Sequence, residues 1–117
     1  MYKRQEEYKP DANGIYQLCE EMPNFPGGMM ECMKFLAKNI KYPVECMKEK
    51  IQGRVIVQII VDKDGSIKNP KVVKSVHPLL DAEALRVAGL MPNWIPGKVK
   101  GENVACRYTI PMQFRLQ

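Results

Sequence analysis

Six of the eight residues from Arg54 to Val61 are valine or isoleucine, with no proline or glycine among them. Branching at Cβ stiffens the side chain and suits a pleated surface, so this run predicts a strand. Its apolar density exceeds what one-face alternation needs, which predicts deep burial. Asp62-Lys63-Asp64-Gly65 then supplies turn chemistry, with Gly65 suited to a positive φ, and Ile67 to Val76 returns as the second strand of a hairpin. The last stretch, Val104 to Leu116, alternates. Cys106, Tyr108, Ile110, Met112 and Phe114 point one way, whereas Arg107, Thr109, Pro111, Gln113 and Arg115 point the other. Period two predicts a half-buried strand, and thirteen residues would reach about 43 Å, so part of it is expected to overhang a small sheet.

Between these runs the spacing changes. From Met29 to Ile40 the apolar residues Met29, Met33, Leu36, Ala37 and Ile40 recur every three or four positions, predicting an amphipathic helix. Phe25-Pro26-Gly27-Gly28 sets up its start and Tyr42-Pro43 ends it, because a residue before proline is pushed out of the α region. Val44 to Ile51 adds a further helical turn or two. Leu79 to Met91 carries Leu80, Ala84, Val87 and Met91 as a second helical stripe, stopped by Pro92. Asn93 to Asn103 reads as a loop with Trp94 as its anchor, and Ile15 to Cys19 is a candidate short N-terminal edge strand.

Proline also orders the sheet. It cannot donate to a central ladder, so Pro70 and Pro111 mark their strands as edges and leave the proline-free run between them. The predicted fold is two-layer α+β. A three-stranded antiparallel sheet, ordered 2-1-3, carries two helices on one face, and the helix Leu79–Met91 crosses between the parallel outer strands.

Length and composition narrow the class. A chain of 117 residues makes one domain that buries about 65% of its extended surface. It contains no run of about 18 apolar residues, so neither a membrane span nor a secretion leader is expected within it. Met1–Gln5 resembles a translated adaptor scar, and residues 1–24 read as a tail or spacer remnant before a domain over 25–117. Setting Lys3 and Arg4 aside lowers the net charge from +5 to +3, which favours a solvated surface over a nucleic-acid footprint. Cys19, Cys32, Cys46 and Cys106 lack zinc-ligand spacing and are equally compatible with disulfides or buried thiols. The single His77 precedes a proline and reads as a turn residue. The DKDG segment reads as a hairpin turn without the full calcium-loop pattern. Most of the eight methionines are expected to fill the core. No catalytic constellation, metal site or cofactor site assembles. The C-terminal strand's unpaired edge remains, either as a template for adding an extended peptide or as an edge kept blunt by charge and proline.

FPGG at Phe25–Gly28, YP at Tyr42–Pro43, GRVIVQIIVDKDGSI at Gly53–Ile67, SVHPLLDAEALR at Ser75–Arg86, WIPG at Trp94–Gly97 and the terminal YTIPMQFRL together resemble the C-terminal domain of TonB-family energy transducers, most closely those of Bacteroidota. The resemblance runs from Phe25 to Gln117. It implies a non-enzymatic periplasmic domain whose parent has an N-terminal inner-membrane anchor, a Pro-rich spacer, and ExbB and ExbD as partners. It further implies binding of the TonB box of outer-membrane receptors by strand addition, so that proton-motive force drives uptake of siderophores, vitamins or glycans. Carried onto this chain, the pairing strand is Arg107, Tyr108, Thr109, Ile110, Pro111, Met112, Gln113 and Phe114, with Tyr42 and Pro43 near the receptor plug. Two other readings stand beside it. One is a TonB-like sensing domain appended to a membrane metallopeptidase-type regulator; the other is a homodimer joined through the C-terminal strands.

Overall fold

The computed structural model describes residues 8–116, so Met1–Gln5 lies outside the described residues. Eight elements follow in order: β1 (Ile15–Tyr16), α1 (Met29–Asn39), α2 (Val44–Lys48), β2 (Gly53–Val61), β3 (Ile67–Lys74), α3 (Pro78–Ala88), β4 (Gly97–Val99) and β5 (Glu102–Phe114). The Val/Ile run is β2, and its side chains alternate between full burial at Val55, Val57, Ile59 and Val61 and partial burial between them. The turn to β3 closes as its composition predicts. The Gly65 N–H donates to the Asp62 carbonyl at 2.9 Å, and the Asp62 N–H donates to the Ser66 carbonyl at 2.9 Å.

β2 lies between β3 and β5 and runs antiparallel to both, the arrangement that the prolines indicate. The sheet differs from expectation in number and type, being five-stranded and mixed. β1 adds in parallel to β5, pairing Ile15 with Ala105 and Tyr16 with Cys106. β4 folds back onto β5, pairing Gly97 with Val104 and Val99 with Glu102. The expected loop 93–103 therefore contains a short strand. Lys100 (φ 55) and Gly101 (φ 75) form the two-residue connection to β5, the left-handed pair that fits strand twist.

One core joins the helices to the sheet. Leu36 and Cys32 of α1, and Leu80, Ala84, Val87 and Ala88 of α3, cluster with the inward side chains of β2 and with Ile110, Met112 and Phe114 of β5. The α3 stripe follows its predicted period at Leu80, Ala84 and Val87. The α1 stripe is displaced, since Cys32 is buried whereas Met29 and Met33 are exposed. Met22, Met30 and Met47 are exposed too, and among the described methionines Met112 alone is fully buried, so core filling does not account for most of them. His77 caps α3, its Nδ1 accepting from the Leu79 N–H at 3.1 Å.

Trp94, Gly65 and Phe25 lock the far end. The indole is buried between the Phe25 ring, edge-on at 5.7 Å, and the Tyr108 ring at 5.4 Å. The Trp94 N–H donates to the Gly65 carbonyl at 2.8 Å. A smaller cluster of Cys19, Val99, Val104 and Cys106 sits where β1, β4 and β5 meet. On the opposite edge, β3 carries Lys68, Lys71 and Lys74, all exposed, and two register shifts break its ladder with β2, one at Asn69 (φ 48) and Pro70 and the other at Val73.

Candidate functional site

β5 is paired unevenly along its length. On one flank it pairs with β2 without a register shift, from Cys106 opposite Val61 to Phe114 opposite Gly53. β1 and β4 engage only residues 102–106. The other flank of Arg107–Phe114 therefore has no strand partner among the described residues. Along a strand the main-chain N–H and C=O groups of successive residues face alternate flanks, so about half of these eight residues offer theirs outward. Unpaired main-chain groups along an edge are a template for another extended segment.

The side chains of this stretch divide by face. Ile110, Met112 and Phe114 are buried in the core and Tyr108 packs partly buried on Trp94, so these four hold the strand in place. Thr109, Pro111 and Gln113 are exposed on the opposite face. Arg107 is occupied within the chain. Its guanidinium lies 2.9 Å from the Asp11 carboxylate, which also accepts from the backbone N–H groups of Asn13 at 2.8 Å and Ile15 at 3.0 Å. Those backbone donors, aided by Arg107, hold the Asp11 carboxyl below its ordinary range. The pair ties the turn before β1 to the start of the open edge.

Two clefts flank that edge. At its start, Gln17, Met22, Arg107, Tyr108 and Thr109 line a space of about 270 Å³. At its end, Met33, Leu36, Ala37, Ile40, Tyr42, Pro111, Gln113 and Arg115 enclose about 380 Å³ between α1 and the end of β5. Tyr42 closes the floor of the second cleft. Its ring meets Phe114 edge-on at 5.8 Å, and its hydroxyl donates to the Ile51 carbonyl. Burial raises the pKa of that phenol, which therefore stays a neutral donor. Pro43 sits beside it as the N-cap of α2 and does not line the cleft.

The structure thus brings Tyr42 together with Pro111, Gln113 and Phe114, and places Pro43 and Arg107 in supporting roles. Sequence reasoning missed Gln17, Met22, Met33 and Arg115. A signal existed only for Met33, whose place on an apolar stripe implied burial; its 57% exposure is what makes it available.

The sequence profile of the family described as Gram-negative bacterial TonB protein C-terminal matches residues 38–116 of this chain. The chain belongs to the TonB C-terminal domain family. Domains of this family are periplasmic and interact with outer-membrane receptors. Two solution NMR structures of the Helicobacter pylori TonB C-terminal domain share the fold, each 26% identical and each covering 76% of this chain. One superposes with a TM-score of 0.57 over 80% of its own length, the other with 0.55 over 94%. No curated protein matches the chain at a significant level.

Proposed function

We propose that this chain is the receptor-binding module of a TonB-type energy transducer and that it takes the TonB box of an outer-membrane receptor as an added strand along Arg107–Phe114. The carrying observation is the open flank of β5, which has no strand partner among the described residues while the same residues are fixed on their other side by an uninterrupted ladder to β2. Main-chain hydrogen bonds along that flank set the orientation of the added strand, and alternate side chains of the strand enter the two clefts. Met33, unbranched and polarisable, adapts the second cleft to different apolar side chains.

The domain unit in this reading is 25–117, entered from a tail over 1–24. Coupling to proton-motive force, and to ExbB and ExbD, belongs to the region of the parent transducer that precedes this domain. Tyr42 and Pro43 act as the positioning element under the edge. The domain acts by binding and has no catalytic step of its own. The same open flank admits pairing between two copies, and that homodimer is the competing occupant.

Titration of the 15N-labelled domain with peptides from the periplasmic N-termini of outer-membrane receptors tests the proposal. Saturable shifts centred on Arg107–Phe114 and on Tyr42 are expected. A folded sample in which no such peptide moves these resonances overturns it, and a concentration-dependent shift without peptide identifies the homodimer instead.

A further inference from the structure

Four buried thiols stand in three different surroundings. Cys32 lies within the main core under α1. Cys46 faces His77, its Sγ 3.6 Å from Nδ1. Cys19 and Cys106 face each other. Both side chains pack in the one small buried cluster, with Val99 and Val104. The backbone explains the meeting, since Tyr16 pairs with Cys106 in the β1–β5 ladder and, just past Cys19, Glu21 pairs with Lys98 of β4, the strand that lies beside Val104. Gly97, opposite Val104 on β4, leaves the room: a Cβ there would come within 3.1 Å of the Cys19 sulfur.

We infer that Cys19 and Cys106 are a disulfide-forming pair, a covalent clasp that fastens the N-terminal tail onto the C-terminal strand beside its open edge. The family's periplasmic compartment is oxidising, which permits the bond. The bond joins the two Sγ atoms with loss of two thiol protons. The two electrons reduce the disulfide of a thiol oxidant to two thiols, through a mixed disulfide on one of the cysteines. β1 contributes only two paired residues, and the Arg107–Asp11 ion pair and the Glu21–Lys98 bridge hold the tail on either side of it; the disulfide would add a covalent tie between them. Burial pushes both thiols upward in pKa and keeps them protonated in the folded chain. The thiolate is the reactive form, so the bond closes as the chain folds rather than after folding.

Refolding from denaturant in a buffer of oxidised and reduced glutathione, then blocking of free thiols and mass spectrometry, tests the inference. Cleavage after glutamate separates all four cysteines, with Cys19 in 8–20, Cys32 in 32–45, Cys46 in 46–49 and Cys106 in 103–117. The expected result is a folded chain lighter by two hydrogens before blocking, in which 8–20 is joined to 103–117 and Cys32 and Cys46 are blocked. The bridged chain should melt roughly 10 °C or more above the reduced one, because the bond closes a long loop. Cys19→Ser and Cys106→Ser should each abolish the mass loss and that increment. Four blocked thiols in the refolded chain, or a bridge joining any other pair, overturns the inference. Because the readout is mass and melting, it fails or succeeds independently of peptide binding.

Discussion

Replacing Gly65 by alanine tests how the hairpin turn is joined to the tryptophan loop. Gly65 has φ 88, and a Cβ built on it would lie 2.2 Å from the Trp94 carbonyl oxygen, a main-chain atom with no rotamer to move into. The left-handed conformation alone costs an L-residue about 1–2 kcal/mol. Relief of the clash must displace the Trp94 backbone, which breaks the 2.8 Å bond from its N–H to the Gly65 carbonyl, a loss of about 1 kcal/mol. Trp94 then draws away from Phe25 and Tyr108, forfeiting about 0.5–1.5 kcal/mol for each aromatic contact disturbed. The sum is about 3–6 kcal/mol, a large part of the ~5–15 kcal/mol that stabilises an ordinary domain. Gly101 provides the internal control. It has φ 75, yet a Cβ there meets nothing within 4 Å, so Gly101→Ala should cost only the conformational ~1–2 kcal/mol. Urea unfolding of both variants, followed by tryptophan fluorescence, reads the difference. Equal losses at the two positions would refute the argument that close approach, rather than φ alone, makes glycine necessary at 65.

Other expectations follow from the same geometry. Phe114→Ala should cost about 3–5 kcal/mol in urea unfolding, since it empties a buried site and removes the edge contact with Tyr42; Gln113→Ala, exposed on the other face, should stay within about 0.5 kcal/mol. Glu83 accepts from the Lys41 N–H at 2.6 Å and from Arg86, which itself donates to the Asn39 carbonyl. Glu83→Ala should therefore loosen α1 from α3 by about 1–2 kcal/mol, visible as faster amide exchange at Ile40 and Lys41. The Asp11 carboxyl is held below its ordinary value of 3.8 by bonds to its charged form, so its hold on β1 is complete above that pH and is lost as pH falls through the lowered value. Amide shifts of Asn13 and Ile15 should follow that titration, and Asp11→Asn should remove the pH dependence.

Much of the fold was legible because it is written in local periodicity. The Val/Ile run, its DKDG turn and the alternating C-terminal strand each satisfy a pattern within a dozen residues, and the two prolines ordered them. What was illegible depends on partners far apart in sequence. Gly97-Lys98-Val99 is too short and too polar to announce a strand, and becomes one because β5 lies opposite. Arg107 carries nothing in its neighbourhood to say that Asp11 would claim it. Met29 and Met33 fit a helical stripe, but α1 rolls so that Cys32 enters the core instead, leaving Met33 over the cleft. The sequence made the whole C-terminal strand an edge, whereas β1 and β4 cover residues 102–106 and leave only Arg107–Phe114 open, and the two clefts beside it arise from tertiary placement of α1 and of the tail.

The two outer flanks of this sheet are made unlike one another, and that governs what the chain can join. β3 presents three lysines, a proline and an irregular ladder, which repel and misalign any strand that approaches. A molecule with two receptive flanks could stack without limit into a fibre. Here whatever docks on β5 finds no second landing place behind it, so a ladder that reaches this chain ends there, even where many copies crowd together.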